Sequence, residues 1–229
     1  MTDNAPRHAL ITGTSSGIGA AIAERLLAQG WRVTGLARTP QPNSHPAFTG
    51  VALDSCDTPA LIGFLDGLGP VDAVIHAAGQ MRAAPLGELD YDASRRLWAL
   101  HIGVAEILAD RLAARLPRGG RIILLGSRTS TGAAGRSQYV ATKSALIGMA
   151  RSWAAELAPR GITVNIVAPG ATDTPMLNRP ERKGSPPTLP PIGRYIRPDE
   201  VADLVIYLLS ASADAITGQQ LVICGGASL

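Results

Sequence analysis

Tyr139 and Lys143 are the two residues whose types and spacing best suit acid–base chemistry. They lie four positions apart in a segment of helical period, so their side chains share one face of a helix. A free phenol has a pKa of about 10 and is a poor base near neutral pH. A cation about 4 Å away, at an effective dielectric near 20, supplies the roughly 4 kcal/mol that lowers this pKa by about 3. Such a pair is also common on ordinary helix surfaces, so the surrounding elements must decide between the two interpretations.

A glycine-rich loop, Thr12–Gly19, lies between the first predicted strand and the first predicted helix. Gly13 can form a tight turn, Gly17 lets the backbone approach a pyrophosphate, and Gly19 lets the helix pack close to the sheet. The helix N-terminus supplies N–H groups and partial positive charge for phosphates. An ordinary glycine-rich turn is the alternative, but the place after the first strand favours a dinucleotide. The predicted contacts are Gly13, Thr14, Ser15, Ser16, Gly17, Ile18 and Gly19.

Short apolar runs alternate with longer segments of helical period along the chain. Several runs lack an alternation of apolar and polar residues, which is typical of parallel strands buried on both faces. The pattern predicts an α/β fold, a doubly wound parallel sheet with helices on both faces. The predicted strands are Ala9–Thr12, Arg32–Leu36, Val51–Leu53, Val71–His76, Arg121–Leu125, Ile162–Val167 and Gln220–Ile223. The predicted helices are Gly17–Gln29, Asp90–Leu116, Gln138–Leu157 and Pro198–Leu209.

Two proline-rich segments interrupt this pattern. The prolines between Arg38 and Val51 predict an irregular loop where a crossover helix would normally lie. Residues 175–198 hold seven prolines. Because no change in composition separates two cores, we predict a single domain over residues 1–229, with a substrate loop at about 175–198.

Composition narrows the function classes. Apolar residues make up 46% of the 229 residues and charged ones 17%, as in globular proteins. The apolar runs are far shorter than the roughly 20 residues of a membrane span, and residues 1–7 lack the apolar core of a signal peptide. The 21 basic and 18 acidic side chains, with 4% aromatics, do not indicate nucleic-acid binding. Cys56 and Cys224 form neither a metal spacing nor a disulfide framework, so we expect no metal and a cytoplasmic location.

Three motifs, in order, resemble the short-chain dehydrogenase/reductase family. They are TGTSSGIG at 12–19, Tyr139-x-x-x-Lys143, and Asn165 followed by Pro169-Gly170. The resemblance covers nearly the whole chain. It implies a Rossmann-type sheet of seven strands, a nicotinamide cofactor and a homotetramer. It also implies that Lys143 binds the nicotinamide ribose in addition to acting on Tyr139.

The end of the second predicted strand bears on the choice between NAD and NADP. Sites selective for NAD place an acidic residue about 20 positions beyond the glycine loop, where it bonds the ribose 2′-OH. Here Ala37 occupies that place and Arg38 follows it. An arginine can bind a 2′-phosphate through charge-assisted hydrogen bonds, although a solvated surface arginine is the alternative. We therefore predict NADP(H), with NAD(H) still possible.

The resemblance implies further cofactor contacts. Asp54 matches the family residue that bonds the adenine amino group, unless it only caps a turn. Where the family has Asn-Asn-Ala-Gly, this chain has His76-Ala77-Ala78-Gly79. Gly79 still allows a backbone contact with the cofactor, but the side-chain amide that is usual at position 77 is missing. The turn at 169–174 resembles the one that binds the nicotinamide carboxamide, with local threonine turns as the alternative. The full set is Asp54, Ser55, Ala77, Ala78, Gly79, Pro169, Gly170, Thr172 and Thr174.

The resemblance also completes the catalytic group. Ser127 follows a predicted strand and matches the family serine that hydrogen-bonds the reacting oxygen; Ser130, farther into the loop, is the competitor. His101 stands where the family has an asparagine that holds a water of the proton relay. Histidine can both donate and accept, so it could replace this amide or disturb the relay.

These residues predict an oxidoreductase that transfers a hydride between NADP(H) and a small-molecule carbonyl or secondary alcohol, with Tyr139 as general acid/base. One alternative is an NAD-dependent dehydrogenase of a ring diol, which the missing crossover helix and Thr172-Asp173-Thr174 favour and Arg38 opposes. Another is a catalytically weak cofactor-binding sensor, which His101 and Ala77 favour.

The loop at 176–195 is expected to cover the substrate as a stiff lid because of its prolines. Its basic residues leave open an anionic substrate, although solvated loop charge is the simpler explanation. These residues are Arg179, Arg182, Lys183 and Arg194.

Overall fold

Seven strands form one parallel sheet. The computed structural model describes residues 5–40, 42–178 and 186–229. The strands are β1 (His8–Thr12), β2 (Arg32–Ala37), β3 (Phe48–Ala52), β4 (Ala73–His76), β5 (Arg121–Leu125), β6 (Thr163–Pro169) and β7 (Gln220–Ile223). Their order in the sheet is β3-β2-β1-β4-β5-β6-β7, and each neighbouring pair is parallel. The order reverses between β1 and β4, which is where sheets of this kind bind ligands.

Helices cover both faces of the sheet, so the predicted doubly wound Rossmann-type α/β fold is confirmed. One buried cluster packs α1 and α6 against the sheet, and a second packs α2, α4 and α5 against the other face. The helices are α1 (Gly17–Ala28), α2 (Thr58–Gly67), α3 (Tyr91–Trp98), α4 (Val104–Leu112), α5 (Ser137–Leu157) and α6 (Pro198–Leu209).

The strand boundaries need small corrections. β5 and β7 have the predicted bounds, whereas β3 begins at Phe48 and not at Val51. Phe48 pairs with Val33 of β2, and aromatic residues suit a pleated edge strand. As predicted, no helix forms among the described residues between β2 and β3.

The sequence analysis missed α2. Asp57 caps this helix by accepting a hydrogen bond from the Ala60 N–H at 3.1 Å, and Pro59 lies in its first turn. Leu61 and Leu65, four positions apart, are fully buried beneath it. These are ordinary signals of a helix start and of one apolar stripe.

The predicted helix Asp90–Leu116 is wrong as a single helix. A π-helical turn, Ala99–Gly103, separates α3 from α4. The His76 Nε2–H of β4 donates to the Leu100 carbonyl at 3.0 Å, within this turn. A side chain that bonds a helix carbonyl from outside disturbs the regular ladder, and π turns recur at functional sites.

Candidate active site

A cleft opens at the carboxyl ends of β4, β5 and β6. Its walls come from the residues that follow these strands, from α5 and from the segment after β6. The described residues that line it are Ile18, Ala77, Gly79, Gln80, Met81, Leu125, Gly126, Ser127, Arg128, Thr129, Arg136, Tyr139, Lys143, Pro169, Gly170, Ala171, Thr172, Thr174, Met176, Pro187 and Thr188. The described residues contain no metal-binding cluster of His, Cys, Asp or Glu.

Tyr139 and Lys143 lie on the face of α5 that borders the cleft. Lys143 is 4% exposed, and its ammonium donates to the Leu125 carbonyl at 2.7 Å. The ammonium nitrogen lies 6.0 Å from the centroid of the Tyr139 ring. Burial lowers the pKa of Lys143 to about 7 because the ammonium is separated from water. The helix therefore holds a cation close to the phenol, as the spacing predicts.

Ser127 lines the cleft, whereas Ser130 does not. The Ser127 hydroxyl lies 2.9 Å from the Thr129 hydroxyl and accepts a hydrogen bond from the Thr129 N–H at 3.2 Å. When Thr129 donates, the Ser127 O–H is left to donate into the cleft. Ser130 instead bonds the side-chain amide of Gln220 on β7. The geometry thus favours Ser127 over its competitor.

His101 is fully buried behind the cleft and does not line it. The Thr142 hydroxyl donates to the Tyr139 carbonyl at 2.8 Å, so it accepts from His101 Nδ1, also at 2.8 Å. His101 Nε2 accepts from the Gln80 N–H at 3.2 Å. Burial holds the pKa of His101 well below its usual value, so the ring is neutral. Its edge meets the Tyr139 ring with centroids 5.7 Å apart.

A second buried histidine, His76, ties the glycine loop to the strand beside it. Its Nδ1 accepts from the Thr12 hydroxyl at 2.8 Å, because its Nε2–H donates to a helix carbonyl. The Thr12 hydroxyl in turn accepts from the Ala78 N–H at 3.1 Å. Burial lowers the pKa of His76 to about 3. All polar atoms of this group are paired, so His76 is a structural residue of the site.

The glycine loop fits a dinucleotide. Gly13 has a φ of +80°, and a Cβ there would lie 2.7 Å from the backbone of Ala78. A Cβ on Gly19 would lie 2.2 Å from the Gly13 carbonyl oxygen, so only glycine allows α1 to begin this close to β1. The first turn of α1 contains no acidic residue, which leaves its N–H groups and dipole available to phosphates.

The predicted adenosine-end residues lie at the ends of β2 and β3, beside the glycine loop and outside the cleft. Arg38 is exposed there, and its charge acts on the nearby Cys56 thiol, whose pKa burial raises overall. The Asp54 carboxylate accepts from the Cys56 N–H at 3.0 Å, so it does cap a turn. Its second oxygen makes no hydrogen bond with a described residue. Ser55 is buried next to it.

The turn after β6 places Thr172 and Thr174 at the cleft. Their hydroxyls donate to the carbonyls of Gly170 at 3.1 Å and Thr172 at 3.3 Å, which are local threonine turns. A Cβ on Gly17 would lie 3.1 Å from the Thr174 methyl carbon, so this turn meets the glycine loop. Asn165 lies deeper and braces β7 through Ile216 and Gln219.

Part of the substrate loop borders the cleft through Met176, Pro187 and Thr188. Arg194 makes two hydrogen bonds of 2.7 Å to Glu200 at the start of α6, which lowers the pKa of that carboxyl to about 2. Arg194 does not line the cleft. The other predicted basic residues, Arg179, Arg182 and Lys183, lie outside the described residues.

Comparison with known proteins agrees with this geometry. Residues 60–228 match the family model described as enoyl-(acyl carrier protein) reductase. The 3-oxoacyl-(acyl-carrier-protein) reductase FabG of Salmonella typhimurium is 36% identical, over 95% of this chain and 96% of the relative. A short-chain dehydrogenase/reductase from Serratia marcescens is 32% identical, with a TM-score of 0.83 over 97% of this chain and 98% of the other. The chain belongs to the short-chain dehydrogenase/reductase family.

A further similar structure is that of BdcA in complex with NADPH. It is 35% identical, with a TM-score of 0.83 over 96% of this chain and 95% of the other.

Two charged residues of the cleft were missed by the sequence analysis. Arg128 and Arg136 line the cleft beside Ser127 and Tyr139, yet neither belongs to a motif of the short-chain dehydrogenase/reductase family that the sequence displays. The available signal was their position in the segment between Ser127 and Tyr139. Which way they face depends on the path of that segment, and sequence spacing alone does not give it.

Proposed function

We propose that this protein reduces a carbonyl to a secondary alcohol, or catalyses the reverse oxidation, with NADP(H). The observation that carries the proposal is that Ser127, Tyr139 and Lys143 line one cleft at the carboxyl edge of the sheet. The glycine loop that fits a dinucleotide lies beside that cleft. The complex of BdcA with NADPH supports the choice of cofactor.

Each of the three side chains has a distinct task. The bound nicotinamide supplies or accepts the hydride. Ser127 donates its O–H to the carbonyl oxygen and holds it next to Tyr139, whose phenol gives the proton to that oxygen during reduction. Lys143 stabilises the resulting phenolate, because its cation is held close in a site shielded from water.

His101 takes part through position and not through proton transfer. Both of its ring nitrogens are bonded to Thr142 and Gln80, which leaves no free nitrogen for a relay water. Its ring edge and its bond to Thr142 fix the part of α5 that carries Tyr139. His101→Asn is therefore expected to leave turnover within about an order of magnitude, well below the effect of losing a general acid.

Tyr139→Phe tests the assignment directly. The variant keeps the ring and loses one hydroxyl, so we expect normal folding and nearly unchanged NADPH binding. Turnover should fall by roughly 10²–10⁴-fold, the range for loss of a positioned general acid. The measurement is NADPH oxidation with a panel of ketones, and unchanged turnover in Tyr139→Phe would contradict the proposal.

Arg38→Gln tests the cofactor preference. If Arg38 binds the 2′-phosphate, its loss should weaken NADPH binding by roughly 1.5–3 kcal/mol and leave NADH binding almost unchanged. Titration calorimetry with both cofactors measures this difference. Arg151→Gln, which removes an exposed charge on α5, is the matched control. Equal affinity of the unaltered protein for NADPH and NADH would refute the preference.

Oxidation of a ring diol with NAD is the second candidate. The absence of a helix among the described residues between β2 and β3, and the sequence Thr172-Asp173-Thr174, favour it. It predicts faster turnover with NAD than with NADP, so the same cofactor comparison separates the two functions.

A further inference from the structure

The charges that line the cleft are all positive among the described residues. Arg128, Arg136 and Lys143 line it, and no described Asp or Glu does. Clefts lined by one sign of charge concentrate ligands of the opposite sign, because their low-dielectric walls focus the field. Lys143 serves the phenol in the proposed function, which leaves the two arginines without a catalytic task.

Arg128 directly follows Ser127 in the short 3-10 helix Arg128–Thr131, which begins at the carboxyl end of β5. It is half-buried, and its guanidinium makes no hydrogen bond or ion pair with any described residue. In the same turn, by contrast, the side chains of Thr129 and Ser130 are both hydrogen-bonded, to Ser127 and Gln220. A half-buried guanidinium without a partner in a binding cleft is suited to a planar oxyanion, which it can bind through two parallel hydrogen bonds.

Arg136 approaches the cleft from the opposite end of the same segment. It lies immediately before α5 and three positions before Tyr139. In sequence both arginines lie between Ser127 and Tyr139, and all four residues line the same cleft. An anionic group bound here would lie near the carbonyl in the same molecule.

We propose that the substrate is a small oxo acid, whose oxyanion is bound by the Arg128 guanidinium in the cleft. This inference rests on the proposed carbonyl reduction and adds the substrate class to it. It rests on Arg128 and not on the basic residues of the substrate loop, of which Arg194 is paired with Glu200 and does not line the cleft. Carboxylate and phosphate share the recognising chemistry, and the experiment separates them.

The test compares charged ketones with their neutral counterparts. Oxo acids with graded distance between carbonyl and carboxylate are assayed beside their methyl esters, and a phosphate monoester of a hydroxyketone is assayed beside the free hydroxyketone. We expect kcat/KM to be higher for the charged member of at least one pair. In Arg128→Gln the ratio of charged to neutral kcat/KM should fall by about 10- to 100-fold, as expected for a hydrogen-bonded ionic contact.

Two further variants sharpen the result. Arg128→Lys keeps the charge but loses the planar fork, so the ratio should recover only in part. Arg151→Gln removes an exposed positive charge on α5 and should leave the ratio unchanged.

The outcomes distinguish this inference from the function on which it rests. If no ketone is reduced with NADPH or NADH, the proposed function fails. If ketones are reduced without any preference for the charged member, or if the preference survives in Arg128→Gln, the function stands and the anion site at Arg128 is refuted. Thermal melts of each variant show whether a lost preference comes with lost folding.

Discussion

Lys143 shows at the residue scale how a functional site opposes stability. Its side chain is 4% exposed, and burial lowers its pKa from 10.5 to about 7. Burying its ammonium form therefore costs the folded protein on the order of 5 kcal/mol. The proposed function accounts for this cost, because it requires a cation beside Tyr139. Residues of this kind are ones where activity and stability favour different side chains.

Lys143→Met should therefore separate the two properties. At pH 7 we expect the variant to unfold at a denaturant concentration no lower than that of the unaltered protein. The removed ammonium penalty outweighs the 1–3 kcal/mol lost when the Leu125 carbonyl loses its donor, on the usual scale for such groups. Turnover should fall by at least about 10²-fold. Equilibrium denaturation and NADPH oxidation measure the two effects.

The sign of the pH dependence follows from the lowered pKa. Between about pH 7 and 10.4 the unfolded chain holds a proton on Lys143 that the folded chain has released, so stability rises with pH across this window. The advantage of Lys143→Met should shrink as the pH is raised from 7 towards 10. If the stability advantage of Lys143→Met stays constant with pH, the charge of Lys143 does not destabilise the folded protein.

Spacing predicted that Tyr139 and Lys143 share one face, because a helix places positions 139 and 143 on one side whatever surrounds it. The end of a strand likewise located Ser127. The sequence did not show that Arg128 lines the cleft, because the direction of the Arg128 side chain depends on a 3-10 turn capped by Ser127. The roles of the predicted site residues stay predictions until the variants are measured.

At the scale of elements, two neutral histidines link β4 and the segment after it to the π-helical turn between α3 and α4. His76 bonds the Leu100 carbonyl within the π-helical turn, and His101 is part of that turn. Burial lowers the pKa of both rings, of His76 to about 3. Protonating either ring would remove the lone pair that accepts a hydrogen bond from Thr12 or Gln80.

Acid should therefore weaken this link. Between pH 6.5 and about 3 the unfolded chain binds a proton at His76 that the folded chain excludes, so stability falls as the pH falls through this window. The slope that His76 contributes is up to about 1.4 kcal/mol per pH unit. In His76→Asn, denaturation at pH 7 and pH 5 should show a mean slope smaller by about 1 kcal/mol per pH unit, because the unfolded histidine is only partly protonated above pH 6.5. His45→Asn, at an exposed histidine, is the control. An equal slope in the unaltered protein, His76→Asn and His45→Asn would contradict the lowered pKa of His76.

The two errors of element prediction have different physical origins. The helix α2 carried local signals, the Asp57 cap and a buried leucine pair, that the sequence analysis did not use. The π-helical turn had none, since it depends on a bond from His76, which is distant in sequence. Local signals can be read from sequence, whereas a contact between distant elements cannot.

At the scale of the whole molecule, apolar side chains stay exposed on α3. Tyr91 is 72% exposed and Trp98 is 42% exposed, and their seven-residue spacing places them on one face of the helix. Exposed aromatic side chains on one face are typical of protein interfaces. The homotetramer predicted from the family resemblance would bury them.

Light scattering of the unaltered protein and of Trp98→Arg tests the assembly. We expect a tetramer at micromolar concentration, and a smaller species for the variant because a charge would be placed in the interface. Glu24→Arg, on the exposed face of α1, should leave the mass unchanged. A monomeric unaltered protein would refute the prediction.

The overall architecture was the most predictable feature. Continuous apolar runs that alternate with helical periods predicted a parallel sheet with helices on both sides, and the family resemblance implied seven strands, which the structure contains. No helix among the described residues is both long and apolar enough to cross a membrane. The interpretation as a single domain over residues 1–229 stays a prediction.

The contact between Gly17 and Thr174 has a consequence for how the chain is made. A ribosome releases β1 and its glycine loop early, but the turn that meets this loop follows β6 and emerges much later. A nascent chain that ends before β6 contains the glycine loop but not the turn that lies against it. We therefore expect the dinucleotide to bind after folding is nearly complete and to protect finished molecules, not growing ones, from proteolysis.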